Sequence, residues 1–187
     1  MKRFLKKTVL NELINTRFPI CKTRPNTSNT PTTSFVLGIV NYRGQKFLDG
    51  KTKGPSKWNT IHPKLFQLLQ ELIRSFKPDF QYTTIQVNKN TQCKPHIDTN
   101  NVGDSYIIAL GNFTGGDLVI ESKKFNIRNR FKRFDGHLAH WVEPFEGDRY
   151  SLVFFTHTFK PPIRSLANLK ITEKAIYDKD NKLIKEY

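Results

Sequence analysis

Lys94 to Ile120 reads "KPHIDTNNVGDSYIIALGNFTGGDLVI". Its second half alternates apolar with small or polar residues and is punctuated by glycines, the pattern of short strands joined by tight turns. Ahead of it, His96 and Asp98 lie two residues apart. In an extended chain, side chains at i and i+2 leave the same face, so this pair can meet one metal ion without bending the backbone. Alone, the pair is weak evidence, because a solvated turn can carry the same letters.

Outward from this stretch the period of two continues. "FQYTTIQVN" (80–88), "SYIIALG" (105–111), "GDLVIES" (116–122), "KFNIRNRF" (124–131) and "RYSLVFFTHTF" (149–159) all read as strands. Upstream, Leu65, Leu69, Leu72, Ile73 and Phe76 mark one helical face, with Pro63 in its first turn and Pro78 beyond its end. "FVLGIVNY" (35–42) has strand character, and the turns around it suggest a hairpin with Gln45 to Leu48. A shorter helix is expected near Thr8 to Thr16. Many short strands after few helices predict a mainly β, α+β domain built as a sandwich or barrel. The Pro/Thr/Asn-rich segment 22–34 reads as a linker. The expected organisation is a basic arm and linker over 1–34, a domain over 35–164 with its core at 80–160, and an amphipathic extension over 165–187.

The chain has 187 residues, 37% of them hydrophobic, and its 15 Phe, 6 Tyr and 2 Trp supply bulky core material for one domain. No run of eighteen apolar residues exists, so no membrane span is expected. The N-terminal segment lacks the apolar core of a secretory signal. Cys21 and Cys93 form no disulfide framework, which fits an intracellular protein of the cytoplasm or nucleus. The formal charge is +15, and residues 1–60 hold 12 Lys/Arg against Glu12 and Asp49, a net of +10. Such a field favours a polyanionic partner, nucleic acid or an anionic surface. Oligomeric state is not legible.

A third ligand beside His96 and Asp98 would complete the two-histidine, one-carboxylate face typical of non-haem Fe(II) oxygenases. His137, His140 and His157 are the histidines downstream. Cys93 has no second thiol pair to make a zinc site and reads as a core cysteine. In "FDGHLAHWVEPFEGDRYSLVFF", His140 stands nine residues before Arg149, at the head of an apolar strand.

With that spacing, residues 80–159 resemble the Fe(II)/2-oxoglutarate-dependent dioxygenase superfamily. The likeness rests on His96 and Asp98, the "FTGGDL" turn, "FDG…H" and "GDRYSL". It implies a double-stranded β-helix core, jelly-roll and cupin-like, with helices supporting it from the N-terminal side. It implies Fe(II) held by His96, Asp98 and His140, with 2-oxoglutarate and O2 as the other reactants. Arg149 would pair with the distal carboxylate of 2-oxoglutarate, for which a guanidinium fork is suited, and Ser151 would add a hydrogen bond from the same strand face. Asn88 and Tyr106 are candidates for the remaining cosubstrate contacts, since the tyrosine of prolyl-hydroxylase-like relatives is missing from the strand before H-x-D.

The wording from Val87 to Leu118 most resembles the branch of TET and J-binding-protein nucleic-acid oxygenases. That implies hydroxylation of a nucleic-acid base, with Tyr42, Trp58 or Trp141 stacking on an extruded base and the basic arm and Lys123 to Arg133 tracking phosphates. Two alternatives share parts of this pattern: a prolyl-, lysyl- or asparaginyl-type protein hydroxylase, and a non-catalytic nucleic-acid-binding protein.

Overall fold

A computed structural model describes residues 2–21, 27–28, 31–41 and 53–157, and the backbone of 170–171, 175–177 and 183–186. In chain order these form α1 (Lys2–Asn15), β1 (Ile20–Cys21), β2 (Thr32–Asn41), β3 (Lys53–Pro55), α2 (Trp58–Ile61), α3 (Pro63–Phe76), β4 (Thr84–Lys89) and β5 (Asp104–Gly115). There follow β6 (Leu118–Ile120), β7 (Lys123–Phe125), β8 (Lys132–Asp135), β9 (His140–Val142) and β10 (Phe145–Phe155), then β11 (Lys170–Ile171), β12 (Ala175–Tyr177) and β13 (Leu183–Glu186).

A large antiparallel sheet runs β1-β2-β4-β10-β5-β8, with β3 paired to β2. A small sheet, β7-β6-β9, accompanies it, and β11-β12-β13 form a third. The expected mainly β jelly-roll core with helices before it is what the chain adopts.

Register sorts the side chains of the large sheet into two layers. Tyr150, Leu152 and Phe154 on β10, Ile85 and Val87 on β4, and Phe35 and Leu37 on β2 face α1 and α3. Leu65, Leu69, Leu72 and Ile73 of α3 are all buried there, as the 3.6-residue spacing predicts. The opposite face carries Ile107 and Ala109 of β5, with Val153 of β10 packed beside them. These meet Leu118 and Ile120 of the small sheet and Phe134 of β8. The candidate site lies in this second, interior layer.

Several elements depart from expectation. α1 begins six residues before Thr8 and is no loose arm: Val9 and Leu13 are fully buried in the helix-side core. Lys64 of α3 also pairs with Glu12 of α1 at 2.7 Å. The proposed boundary at 34/35 is therefore crossed by packing. Among the described residues β2 pairs with β1, β4 and β3, and the expected hairpin at 45–48 lies outside them, as does Tyr42. "KFNIRNRF" is not one strand. Asn129 has φ +58, and the run divides into β7 and a loop that enters β8.

Candidate metal and anion site

His96 and Asp98 do not lie in a regular strand. His96 makes a single antiparallel bridge to His140, the His96 amide donating to the His140 carbonyl at 3.1 Å and the His140 amide returning the bond at 3.0 Å. The Asp98 amide donates to the Gly136 carbonyl at 2.8 Å. Two backbone ties thus bring the H-x-D segment against the 136–140 turn. This loop geometry, not strand alternation, brings the two side chains together.

One nitrogen or oxygen from each of His96, Asp98 and His140 lies within 4.8 Å of the others. Nε2 of His96 is 3.9 Å from Asp98 Oδ1, and Nε2 of His140 is 3.8 Å from Asp98 Oδ2. These separations exceed a hydrogen bond. Ligands on one octahedral face with bonds of about 2.0–2.2 Å lie about 3 Å apart, so side-chain closure of about 1–2 Å would let one ion touch all three.

The ring orientations suit a metal. Nδ1 of His96 faces the Lys94 carbonyl at 2.7 Å, and Nδ1 of His140 faces the Leu138 carbonyl at 2.8 Å. A carbonyl only accepts, so each Nδ1 carries the proton, and the neutral ring keeps its lone pair on Nε2. The phenyl ring of Phe134 packs at 5.1 Å from His140. Asp98 Oδ2 accepts from Asn101 Nδ2 at 3.3 Å. A Cβ on Gly136 would stand 3.0 Å from that amide nitrogen and 3.2 Å from Asp98 Cβ, so the missing side chain leaves room for the carboxylate.

His137 is elsewhere: it is exposed, with Nδ1 hydrogen-bonded to Asp135 at 2.8 Å. His157 sits at the end of the strand region and bridges Asn101, and burial holds its pKa below the usual histidine value.

Arg149 is fully buried in the middle of β10. Its Nη2 donates to the Gly116 carbonyl at 3.2 Å, while Nε and Nη1 have no hydrogen-bond partner. The guanidinium lies 5.6 Å from the Phe113 ring and 5.3 Å from Phe145. Among the described residues no carboxylate pairs with it. Burial lowers its pKa to about 10, opposed by Cys93 and Asp117, so it remains a cation at neutral pH. A buried cation with two unused donors is costly unless an anion joins it. The backbone is cut to fit this side chain: Gly116 has φ +71, and a Cβ there would lie 2.9 Å from Arg149 Nε. Asn90 fixes the strand from the other side, its Oδ1 accepting from the Arg149 amide at 2.7 Å. Sequence reasoning missed Asn90, whose own φ of +48 marks a turn residue with a second task.

The remaining candidates divide. Ser151 and Asn88 are cross-strand partners, both buried, with Asn88 Nδ2 donating to Ser151 Oγ at 3.2 Å. They share the Arg149 face of the sheet. Tyr106 pairs with Phe154 and points the other way, into the helix-side core against Phe76 and Phe80. It is separated from Arg149 by the sheet itself, because it stands three positions, an odd step, from Ala109, which opposes Ser151. Trp58 likewise packs on the helix side, with Phe35 and His62. Trp141 follows His140 on β9 and is half-buried, its Nε1 donating to Glu143 at 3.3 Å.

No family profile matches the chain. No curated protein matches it either. Among solved structures it is similar to a 2OG-Fe(II) oxygenase family oxidoreductase from Burkholderia pseudomallei, with 17% identity over 74% of this chain and 73% of that one, and a TM-score of 0.50. At that identity the likeness is one of fold.

Proposed function

We propose that the protein is an Fe(II)- and 2-oxoglutarate-dependent dioxygenase that hydroxylates a C–H bond of a nucleic-acid base. The observation that carries the oxygenase class is the pairing of the His96–Asp98–His140 cluster with the buried, partly unpartnered Arg149 in one interior layer. Three ligands on one face leave coordination positions for other reactants. Bound iron and 2-oxoglutarate would supply the activation of dioxygen. This chain's residues would do the rest. His96, Asp98 and His140 would hold the ion, their Nδ1 contacts fixing which nitrogen faces it. Arg149 would anchor the distal carboxylate through Nε and Nη1, and the apolar ring of Phe113, Phe145, Leu118 and Ile120 would keep water from that contact.

Support for a nucleic-acid substrate is electrostatic. The chain carries +15, and Lys6 of α1 donates to the Asn129 carbonyl at 2.6 Å, joining the basic face of α1 to the loop bearing Arg128 and Arg130. Not all of 123–133 is available to phosphates: Lys124 pairs with Glu143 at 2.8 Å, and Arg133 with Asp104. The test is to load the protein with Fe(II) and 2-oxoglutarate without oxygen, then add oxygen and measure succinate with oligonucleotides or peptides present. Stimulation by DNA or RNA is expected. Stimulation by peptides alone would transfer the substrate to protein, and binding of nucleic acid without succinate would leave a non-catalytic binder.

A further inference from the structure

Gln86 and Asn88 of β4 stand on the same sheet face as Ser151 and Arg149 of β10, and all four are buried. Nε2 of Gln86 donates to the backbone carbonyl of Phe35 at 3.2 Å and to Oδ1 of Asn88 at 3.1 Å. Nδ2 of Asn88 then donates to Oγ of Ser151 at 3.2 Å. One end of this chain has no freedom of direction. A main-chain carbonyl can only accept, so the Gln86 nitrogen must face Phe35, since a flipped amide would set two oxygens against each other. That choice makes Asn88 Oδ1 the acceptor and Asn88 Nδ2 the donor. Ser151 Oγ therefore accepts a hydrogen bond from Asn88 and must direct its own proton elsewhere.

We propose that Gln86 and Asn88 are positioning residues that polarise Ser151 as a hydrogen-bond donor to the anion held by Arg149. This rests on the assignment of Arg149 as a carboxylate anchor. Ser151 is the second residue after Arg149, about 7 Å along the strand and on the same face, so a carboxylate seated on the guanidinium is within range of its hydroxyl. Hydrogen bonds aligned head to tail reinforce one another, and an anion at the end of the row draws on every dipole behind it. The chain also disfavours a ligand that must donate a proton at this point, because the hydroxyl already offers one. A carboxylate passes that filter with either oxygen and an ammonium group does not.

The experiment measures binding of 2-oxoglutarate to the full chain loaded with Mn(II), without turnover, by calorimetry, alongside Mn(II) affinity and thermal midpoint. Ser151→Ala should weaken 2-oxoglutarate binding about tenfold and leave Mn(II) affinity unchanged, and Ser151→Thr should restore most of it. Asn88→Asp, which removes the donor and lets the serine proton turn back toward the strand, should weaken binding more than Asn88→Ala. Gln86→Met should weaken binding about threefold alone and have no further effect in a Ser151→Ala background. An equal effect of Gln86→Met in both backgrounds overturns the polarising role, because a packing defect needs no serine. Asn88→Asp binding as tightly as wild type also overturns it. If the wild-type protein binds Mn(II) but no 2-oxoglutarate, the carboxylate-anchor assignment fails and this inference falls with it.

Discussion

A single histidine separates two readings of the 136–140 turn. His140 is buried with Nε2 toward Asp98, whereas His137 is exposed and tied to Asp135. His140→Ala is expected to abolish iron-dependent succinate release and lower metal affinity by at least tenfold, while His137→Ala keeps most of both. Metal titration of the two variants decides it, and tight binding by His140→Ala with loss in His137→Ala would reverse the assignment. At Arg149 the cost of removal is set by what is left unpaired. Losing a buried charge partner costs about 2–5 kcal/mol, roughly 30-fold to several-thousand-fold in affinity. Arg149→Ala should lose 2-oxoglutarate binding on that scale with Mn(II) affinity intact, and an unchanged affinity for 2-oxoglutarate would exclude the residue from the site.

These residues were legible to different degrees, for physical reasons. His140 and Arg149 could be picked out because their spacing resembles a known pattern. Ser151 follows from strand alternation, whereas Asn88 is marked only by its nearness to the position of the missing tyrosine. Tyr106 could not be placed, because a residue's face depends on the register between strands, and one position of slip exchanges the faces. Asn90 and Gln86 act through main-chain contacts 59 and 51 positions away, which no local pattern encodes.

At the scale of elements, α3 is readable from Pro63 and its apolar spacing, whereas the sequence marks only the second half of α1, near Thr8 to Thr16, because charge masks the spacing of Leu5, Val9 and Leu13. The distinction has a measurable consequence. Leu13 is fully buried and Phe4 is 76% exposed on the same helix. Leu13→Ala should destabilise the fold by about 2–5 kcal/mol, and Phe4→Ala by under about 0.5 kcal/mol. Denaturant unfolding of both tests this, and equal small effects would mean that α1 is dispensable to the core.

The junction between α2 and α3 adds a pH dependence. Burial, opposed by Glu12, holds the His62 pKa below its ordinary 6.5, and burial does the same at His157. Below about pH 6.5 the unfolded chain takes up protons that the folded one refuses, so stability is full above that value and declines as pH falls through it. The lowered carboxylates Asp79, Asp135 and Glu143 act only at more acid pH, below their ordinary 3.8 to 4.5. The thermal midpoint should therefore drop between pH 7.5 and 5.5, and His62→Gln should flatten part of that drop. A midpoint constant across this window would contradict the lowering of both histidine pKa values.

For the whole molecule the question is whether +15 is a diffuse field or a placed surface. Deleting the N-terminal segment confounds charge with packing, because α1 carries Val9 and Leu13 into the core. Charge substitution does not. Arg3 and Lys7 on α1 and Arg130 on the loop joined to it are exposed, while Lys6 holds Asn129 and should be left alone. Each phosphate neutralised contributes about −0.9 to the slope of log affinity against log salt on duplex DNA and about −0.7 on single strands. Arg3→Gln, Lys7→Gln and Arg130→Gln together should make that slope shallower by about 2.7 or 2.1 if all three meet phosphates. A control that removes the same charge on the α2–α3 side, with Lys57→Gln, Arg74→Gln and Lys77→Gln, should leave the slope nearly as it was. Equal shifts in the two triple variants would mean that the field attracts anions without placing them. The proposal that the α1 and 126–131 surface guides a strand whose base enters the candidate metal site would then fail.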